Sequence, residues 1–112
     1  MSERIPSLLL ADMHDSVSTI FEYTAHLNYE AFLQDRKTKD AVIRNLQVLG
    51  EAANRVPKEI REIYPDIEWM RIIRSRHILV HEYAGIDYEI VWRIIEIHLP
   101  PLEKILSDIL GK

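Results

Sequence analysis

Apolar side chains recur three and four residues apart along most of this chain, and nowhere do they alternate with polar ones over the length of a strand. Only a helix gathers positions with that spacing onto one face, so the pattern restricts the fold to packed helices. The first stripe runs Leu10, Met13, Val17, Ile20, Phe21, Thr24 and Leu27, and it starts near Pro6 or Ser7, because the fixed φ of proline suits a first helical turn. Tyr29, Ala31, Phe32 and Leu33 indicate a short helical turn. After Asp35-Arg36-Lys37 a second long stripe follows Ala41, Val42, Leu46, Leu49, Ala53 and Val56 until Pro57, which ends it or opens the next helix. Lys58 to Tyr64 is a short segment stopped by Pro65. Ile67, Met70, Ile73 and Arg74 begin a helix that carries Trp69 and runs to about Val80. Gly85 permits a sharp turn, and Asp87 is placed to cap a last helix through Ile90, Val91, Ile94, Ile95 and Ile97. Pro100-Pro101 should kink or restart that helix before Leu102, Ile105, Leu106 and Ile109 continue the stripe. The expected fold is all-α, a bundle of about four or five helices with short connections.

A chain of 112 residues is naturally one domain spanning 1–112, able to bury roughly two thirds of its unfolded surface. It has no cysteine, which removes disulfides, thiolate metal sites and a cysteine nucleophile, and fits a reducing cytoplasm. The run Leu8-Leu9-Leu10-Ala11 is broken by Asp12 and preceded by Glu3, Arg4 and Pro6, too short for a signal-peptide core or a membrane span. The expectation is therefore a cytoplasmic protein without a membrane partner. Fourteen Lys plus Arg against eighteen Asp plus Glu give a net charge of -4, which disfavours broad attraction to a polyanion. A nucleic acid would have to meet a local basic patch. Arg71, Arg74, Arg76, His77 and His81 supply one, opposed nearby by Glu68 and Glu82.

The densest chemistry lies in Arg76-His77-Ile78-Leu79-Val80-His81-Glu82-Tyr83. Arginine presents a planar, permanently charged fork to phosphate oxygens, and histidine titrates near neutral pH, so Arg76 and His81 have the parts for moving protons around a phosphodiester. Cleavage of a phosphodiester by side chains alone needs a base for the attacking hydroxyl, an acid for the leaving oxygen and a cation for the charge on phosphorus. On an intact helix, residues five apart point about 140° from one another. Either the helix loosens after Val80, or a two-fold partner brings a second copy of each residue into one cleft.

His77 and His81, four apart, also have the spacing of a two-histidine metal site. Glu82 would sit on a different face and the full zincin pattern is absent, so neither a metal nor another cofactor is expected. Tyr83 has three readings: a buried anchor for the turn, a stacking platform for a base, and a hydroxyl that accepts a nucleotidyl group. Glu51 is the acidic residue of the small, apolar stretch Gly50-Glu51-Ala52-Ala53. It is either a solvent-facing charge or, if buried, in need of a cation such as Arg76, with Asn45 able to join the same network. His14, His26 and His98 read as structural or surface residues without an evident partner, and Trp69 and Trp92 as core residues.

The segment from Trp69 through Arg76, His77, His81 and Tyr83 to Gly85-Ile86-Asp87 resembles the signature of the HEPN superfamily. Arg, four residues, His, one residue and Tyr is the form of its HepT-like toxin branch. The resemblance extends to Ala41-Val42-Ile43-Arg44-Asn45-Leu46, Gly50-Glu51-Ala52-Ala53, Tyr64-Pro65 and Val91-Trp92, and so covers nearly the whole chain. It implies the same helical fold in a two-fold dimer with a composite cleft, and Arg76 and His81 as the catalytic pair of a metal-independent endoribonuclease acting on RNA. It implies a supporting role for His77, through orientation of His81 or a phosphate contact. It also implies a toxin of a type VII-like toxin-antitoxin module, silenced when a cognate minimal nucleotidyltransferase antitoxin transfers AMP to Tyr83. The alternative is a non-catalytic helical binding partner of a nucleotidyltransferase, and the intact Arg76, His81 and Tyr83 favour the enzyme. A purely structural dimer would explain the stripes but not the clustered cations.

Overall fold

The computed structural model describes residues 5–77 and 85–112. Their regular structure is helical throughout. Helices α1 (Pro6–Thr24), α2 (Tyr29–Gln34), α3 (Arg36–Arg55), α4 (Lys58–Ile63) and α5 (Trp69–Ser75) are followed by α6 (Tyr88–Arg93), which continues through a π-helical turn, Ile94–His98, into α7 (Leu99–Leu110). With that last continuous rod counted once, the described residues form six helices, two of them only six residues long.

Local chemistry fixes the helix starts. Pro6 stands at the head of α1, where the carbonyl of Ile5 accepts from the amides of Leu8 and Leu9 at 3.0 and 3.2 Å. Asn28 caps α2, its Oδ1 accepting from the Ala31 amide at 2.8 Å. Asp35 caps α3, accepting from the Thr38 amide at 3.0 Å and the Thr38 hydroxyl at 2.8 Å. Those two bonds, the amide's first, hold the Asp35 carboxyl below its ordinary value. Pro57 ends α3 by forcing Val56 into extended backbone. As the spacing predicts, Asp87 caps α6, its Oδ1 accepting from the amides of Glu89 and Ile90 at 3.0 and 3.4 Å.

The core forms where α3 packs against α1 on one side and α5 on another, with α7 laid against α1. Met13, Val17, Ile20, Leu46, Leu49 and Leu106 are fully buried there. Removing one such side chain, as in Leu46→Ala, costs roughly 2–5 kcal/mol in lost burial and residual cavity. Thr24 sits in this apolar stripe because its hydroxyl donates to the Ile20 carbonyl at 2.8 Å. Phe32 is fully buried and fastens α2 to α6, its ring 5.0 Å from Trp92 and 6.1 Å from Tyr88. Trp69 is buried, and its indole N–H donates to the carbonyls of Arg61 and Tyr64, which ties α4 to α5. Both tryptophans therefore pack as the sequence predicts, Trp92 more exposed than Trp69.

Two details differ from the periodicity. The last rod is not reset at Pro100-Pro101 but one turn earlier, in the π-helical turn Ile94–His98. Neither proline can donate to the carbonyl four residues before it, and the wider turn absorbs those lost bonds and leaves Pro100 in the first turn of α7. The inward face is then Val91, Ile95, Leu99, Leu102 and Leu106, while Ile90 and Ile97, both assigned to the stripe, are more than half exposed. Helix α5 ends at Ser75 instead of running on regularly to Val80. The chain tightens at Arg76, whose amide donates to the Ile73 carbonyl three residues back, and Ile78, Leu79 and Val80 lie outside the described residues.

Candidate active site

The end of α5 is seated on α3 by residues that carry almost no bulk. Ser75 is buried, and its hydroxyl donates to the Ile72 carbonyl at 2.6 Å, which satisfies it within its own helix. Facing Ile72 and Arg76 stands Gly50 of α3. A methyl group on Gly50 would fall 2.9 Å from the Cβ of Arg76, 3.1 Å from its backbone nitrogen and 3.1 Å from the Ile72 carbonyl oxygen. Glycine in a helix interior costs about 1 kcal/mol relative to alanine, and here it permits a contact no other residue allows.

The next residue on α3, turned about 100° around the helix, is Glu51. Its Oε1 lies 3.5 Å from Nη1 of Arg76, with the arginine side chain 23% exposed and the glutamate 48%. That separation exceeds the roughly 2.7–2.9 Å of a charge-assisted hydrogen bond, so the pair is a loose electrostatic contact at a rim. Glu51 does pair with Arg76, but it is not buried, and the pair contributes little to stability in such a solvated setting. On the other side of the guanidinium, Nε of Arg76 lies 3.5 Å from Nε2 of the exposed His77. Neither contact is short, and a guanidinium carries five N–H donors, so the arginine retains capacity for an incoming anion. Asn45 does not join this group: its amide donates to the Ala41 carbonyl at 2.9 Å, one turn back on its own helix.

His81 and Tyr83 lie outside the described residues, as does Glu82. Of the predicted site the structure thus brings together Arg76, His77 and Glu51. Among the other predicted cations, Arg71 donates from Nε to Glu68 at 3.2 Å, and the second oxygen of Glu68 lies 3.4 Å from Nδ1 of His98. This links α5 to the last rod. Beside Glu51 an open groove of about 340 Å³ runs along α3, with Arg44, Gln47 and Arg55 on it and Asp12 of α1 across from them. Behind α5 lies a small cavity of about 50 Å³, lined mostly by apolar residues such as Leu46, Ile72 and Leu99, with Glu68, Arg71 and His98 also on its wall. Among the described residues no three His, Asp or Glu side chains converge as metal ligands would, and no helix is long and apolar enough to cross a membrane.

His14 has the partners that the sequence did not reveal. Its Nε2 meets Glu103 Oε2 at 3.1 Å and Ser107 Oγ at 3.0 Å, and Ser107 donates to Glu103 at 2.5 Å, joining α1 to α7. The Ser107 hydrogen bond, and then that of His14, hold the Glu103 carboxyl below its ordinary value. A nucleophilic triad needs the hydroxyl and the carboxylate on opposite ring nitrogens, whereas both here share one. The cluster is a helix pin. Gly50 and Ser75 escaped the sequence reading as site residues, although a glycine in the middle of a long amphipathic helix is itself the signal of a close backbone approach.

The comparisons agree with the geometry. The family model described as "Ribonuclease HepT-like" matches residues 13–109. A Methanocaldococcus jannaschii protein named "Putative RNase MJ1216" is 37% identical over 116 aligned positions that span 100% of this chain and 96% of that protein. "Probable ribonuclease HepT" of Thermococcus cleftensis is 35% identical over 94 positions, 84% of this chain and 86% of its own length. "Putative RNase TTE0752" of Caldanaerobacter subterraneus subsp. tengcongensis is 37% identical over 93 positions, 83% of each chain. No solved structure matches. With relatives aligned across both of the long helices and the Arg76 segment between them and the last rod, the chain belongs to the HepT-like ribonuclease family.

Proposed function

We propose that this protein is a metal-independent endoribonuclease and the toxin of a two-gene, type VII-like toxin-antitoxin module. The observation that carries the reading is the Arg76 guanidinium, held at the rim between α3 and α5 by loose contacts, with donors left over, in a member of a ribonuclease family. Arg76 stabilises the charge that builds on phosphorus. His81, from one or both subunits of a two-fold dimer, takes the 2'-OH proton and returns a proton to the leaving 5'-oxygen. His77, whose Nε2 lies 3.5 Å from Nε of Arg76, adds a phosphate contact or orients His81. Tyr83 accepts AMP from ATP in a transfer catalysed by the cognate minimal nucleotidyltransferase antitoxin: the tyrosine oxygen loses its proton, bonds to the α-phosphorus, and pyrophosphate leaves. The added phosphate and base occupy the space and charge that the substrate needs, so the modified protein is silent.

The test is incubation of the purified protein with total RNA in EDTA. Cleavage should persist and leave 2',3'-cyclic phosphate ends, and Arg76→Ala and His81→Ala should each lower its rate by orders of magnitude. Activity that vanishes with chelation and returns with a divalent ion counts against the mechanism. Tyr83→Phe keeps the ring and removes the acceptor oxygen, so it should cleave RNA yet escape the antitoxin. AMP found by mass spectrometry on another residue would overturn the regulatory half. A wild-type protein that binds the nucleotidyltransferase but never cuts RNA would instead be the non-catalytic partner.

A further inference from the structure

We infer that Gly50 and Glu51 of α3 act together as a clamp on Arg76, with Glu51 a positioning residue for the guanidinium. The inference rests on the ribonuclease reading and names what aims its cation. Gly50 sets the arginine's backbone: the Cβ and nitrogen of Arg76 lie where only a hydrogen on α3 leaves room. Glu51, one residue further, sets the far end of the same side chain through Nη1. An arginine has four rotatable bonds between these two points, and fixing one end while biasing the other narrows the ways to place the fork.

The clamp's looseness matters as much as its position. At 3.5 Å, and with the carboxylate half exposed, Glu51 holds one nitrogen of the fork without closing the bidentate geometry that would exhaust it. The remaining N–H groups stay available for a phosphate oxygen. The facing carboxylate also partly offsets the guanidinium's charge in the free protein, which disfavours chance anions that lack the additional contacts a ribose-phosphate chain brings to the cleft. The closeness of Gly50 to the backbone of α5 makes this arrangement a property of the α3–α5 packing and not of a flexible surface pair.

The experiment combines side-chain NMR of Arg76 with cleavage kinetics on Glu51 variants. In ¹⁵N-labelled protein, the Nε–Hε signal of Arg76, identified by its loss in Arg76→Lys, should be rigid on the nanosecond scale. In Glu51→Ala it should shift and become mobile, and Glu51→Gln, which keeps an acceptor oxygen at the same reach, should restore part of the rigidity. In RNA cleavage, Glu51→Ala should lower kcat roughly tenfold without raising KM, since a misplaced charge stabiliser costs rate more than binding. Glu51→Gln should recover part of that rate, and adding Glu51→Ala to Arg76→Ala should cost nothing further. An Arg76 signal unchanged in Glu51→Ala, or a loss confined to KM, overturns the clamp. If the wild type cuts no RNA, the ribonuclease reading fails, and the NMR result alone decides whether Glu51 positions Arg76.

Discussion

Two of the carboxylate clusters that bridge helices among the described residues are built on opposite plans. At the pin between α1 and α7, His14, Glu103 and Ser107 make three contacts of 3.1 Å or less, and the histidine side chain is 13% exposed. At the rim between α3 and α5, Glu51, Arg76 and His77 meet at 3.5 Å, with the carboxylate half exposed. The pin spends its hydrogen-bonding capacity on itself and stabilises the fold. The rim keeps capacity in reserve and offers a cation to something outside. A dense cluster of titratable groups is thus no guide to function until one asks which donors remain unspent.

The sharpest way to test that contrast is to remove the cation. Arg76→Ala, and likewise His81→Ala, should reduce RNA cleavage by roughly 10²–10⁴-fold, with little change in the unfolding midpoint. A large drop in stability with activity retained would invert the assignment of the two clusters. Gly50→Ala should act on both properties at once. Its methyl group would press on the backbone of Arg76 and Ile72, so chemical denaturation should show a loss of about 1–3 kcal/mol, and cleavage should fall because Arg76 moves. A neutral or stabilising Gly50→Ala would show that α5 yields easily and that its seat on α3 sets nothing.

At the pin the effects are smaller and confined to folding. His14→Ala should cost about 1 kcal/mol, measured by urea denaturation, and leave the rate of RNA cleavage unchanged. Altered cleavage in that variant would show the pin reaching the site. The smallest expected effect is a pH dependence. The folded-state carboxyl of Glu103 titrates below its unfolded value, so its contribution is fully present above the unfolded value and is lost as pH falls through the lower folded one. Ser107→Ala removes the leading cause of that shift, so its stability deficit against the wild type should shrink as pH drops below about 4. A gap that stays constant down to acid would mean that the hydroxyl matters for packing and not for charge.

Much of this molecule is written in one-dimensional spacing. Met13, Val17 and Ile20, and Val42, Leu46, Leu49 and Ala53, could be assigned to buried helix faces because three-and-four periodicity is a property of any α-helix, whatever it packs against. Asp87 as a cap and Pro57 as a stop follow from what a carboxylate and a missing N–H do locally. Arg76, His77 and His81 could be singled out because their chemistry is intrinsic to the residue types. Tertiary structure decided what depends on distances between segments remote in the chain. Glu51 could be given a conditional partner but not an exposure, which depends on how closely α3 approaches α5. His14 could not be paired with Glu103, 89 residues away, because no periodicity within α1 encodes the turn of α7 that faces it. Nor did the stripe reveal that Ile90 and Ile97 face outward, since Ile90-Val91 and Ile94-Ile95 put apolar residues on adjoining faces and only packing selects the one through Val91 and Ile95. Sequence fixes what each residue wants locally; only the packed chain decides which of those wants are met by a neighbour and which are left for a ligand.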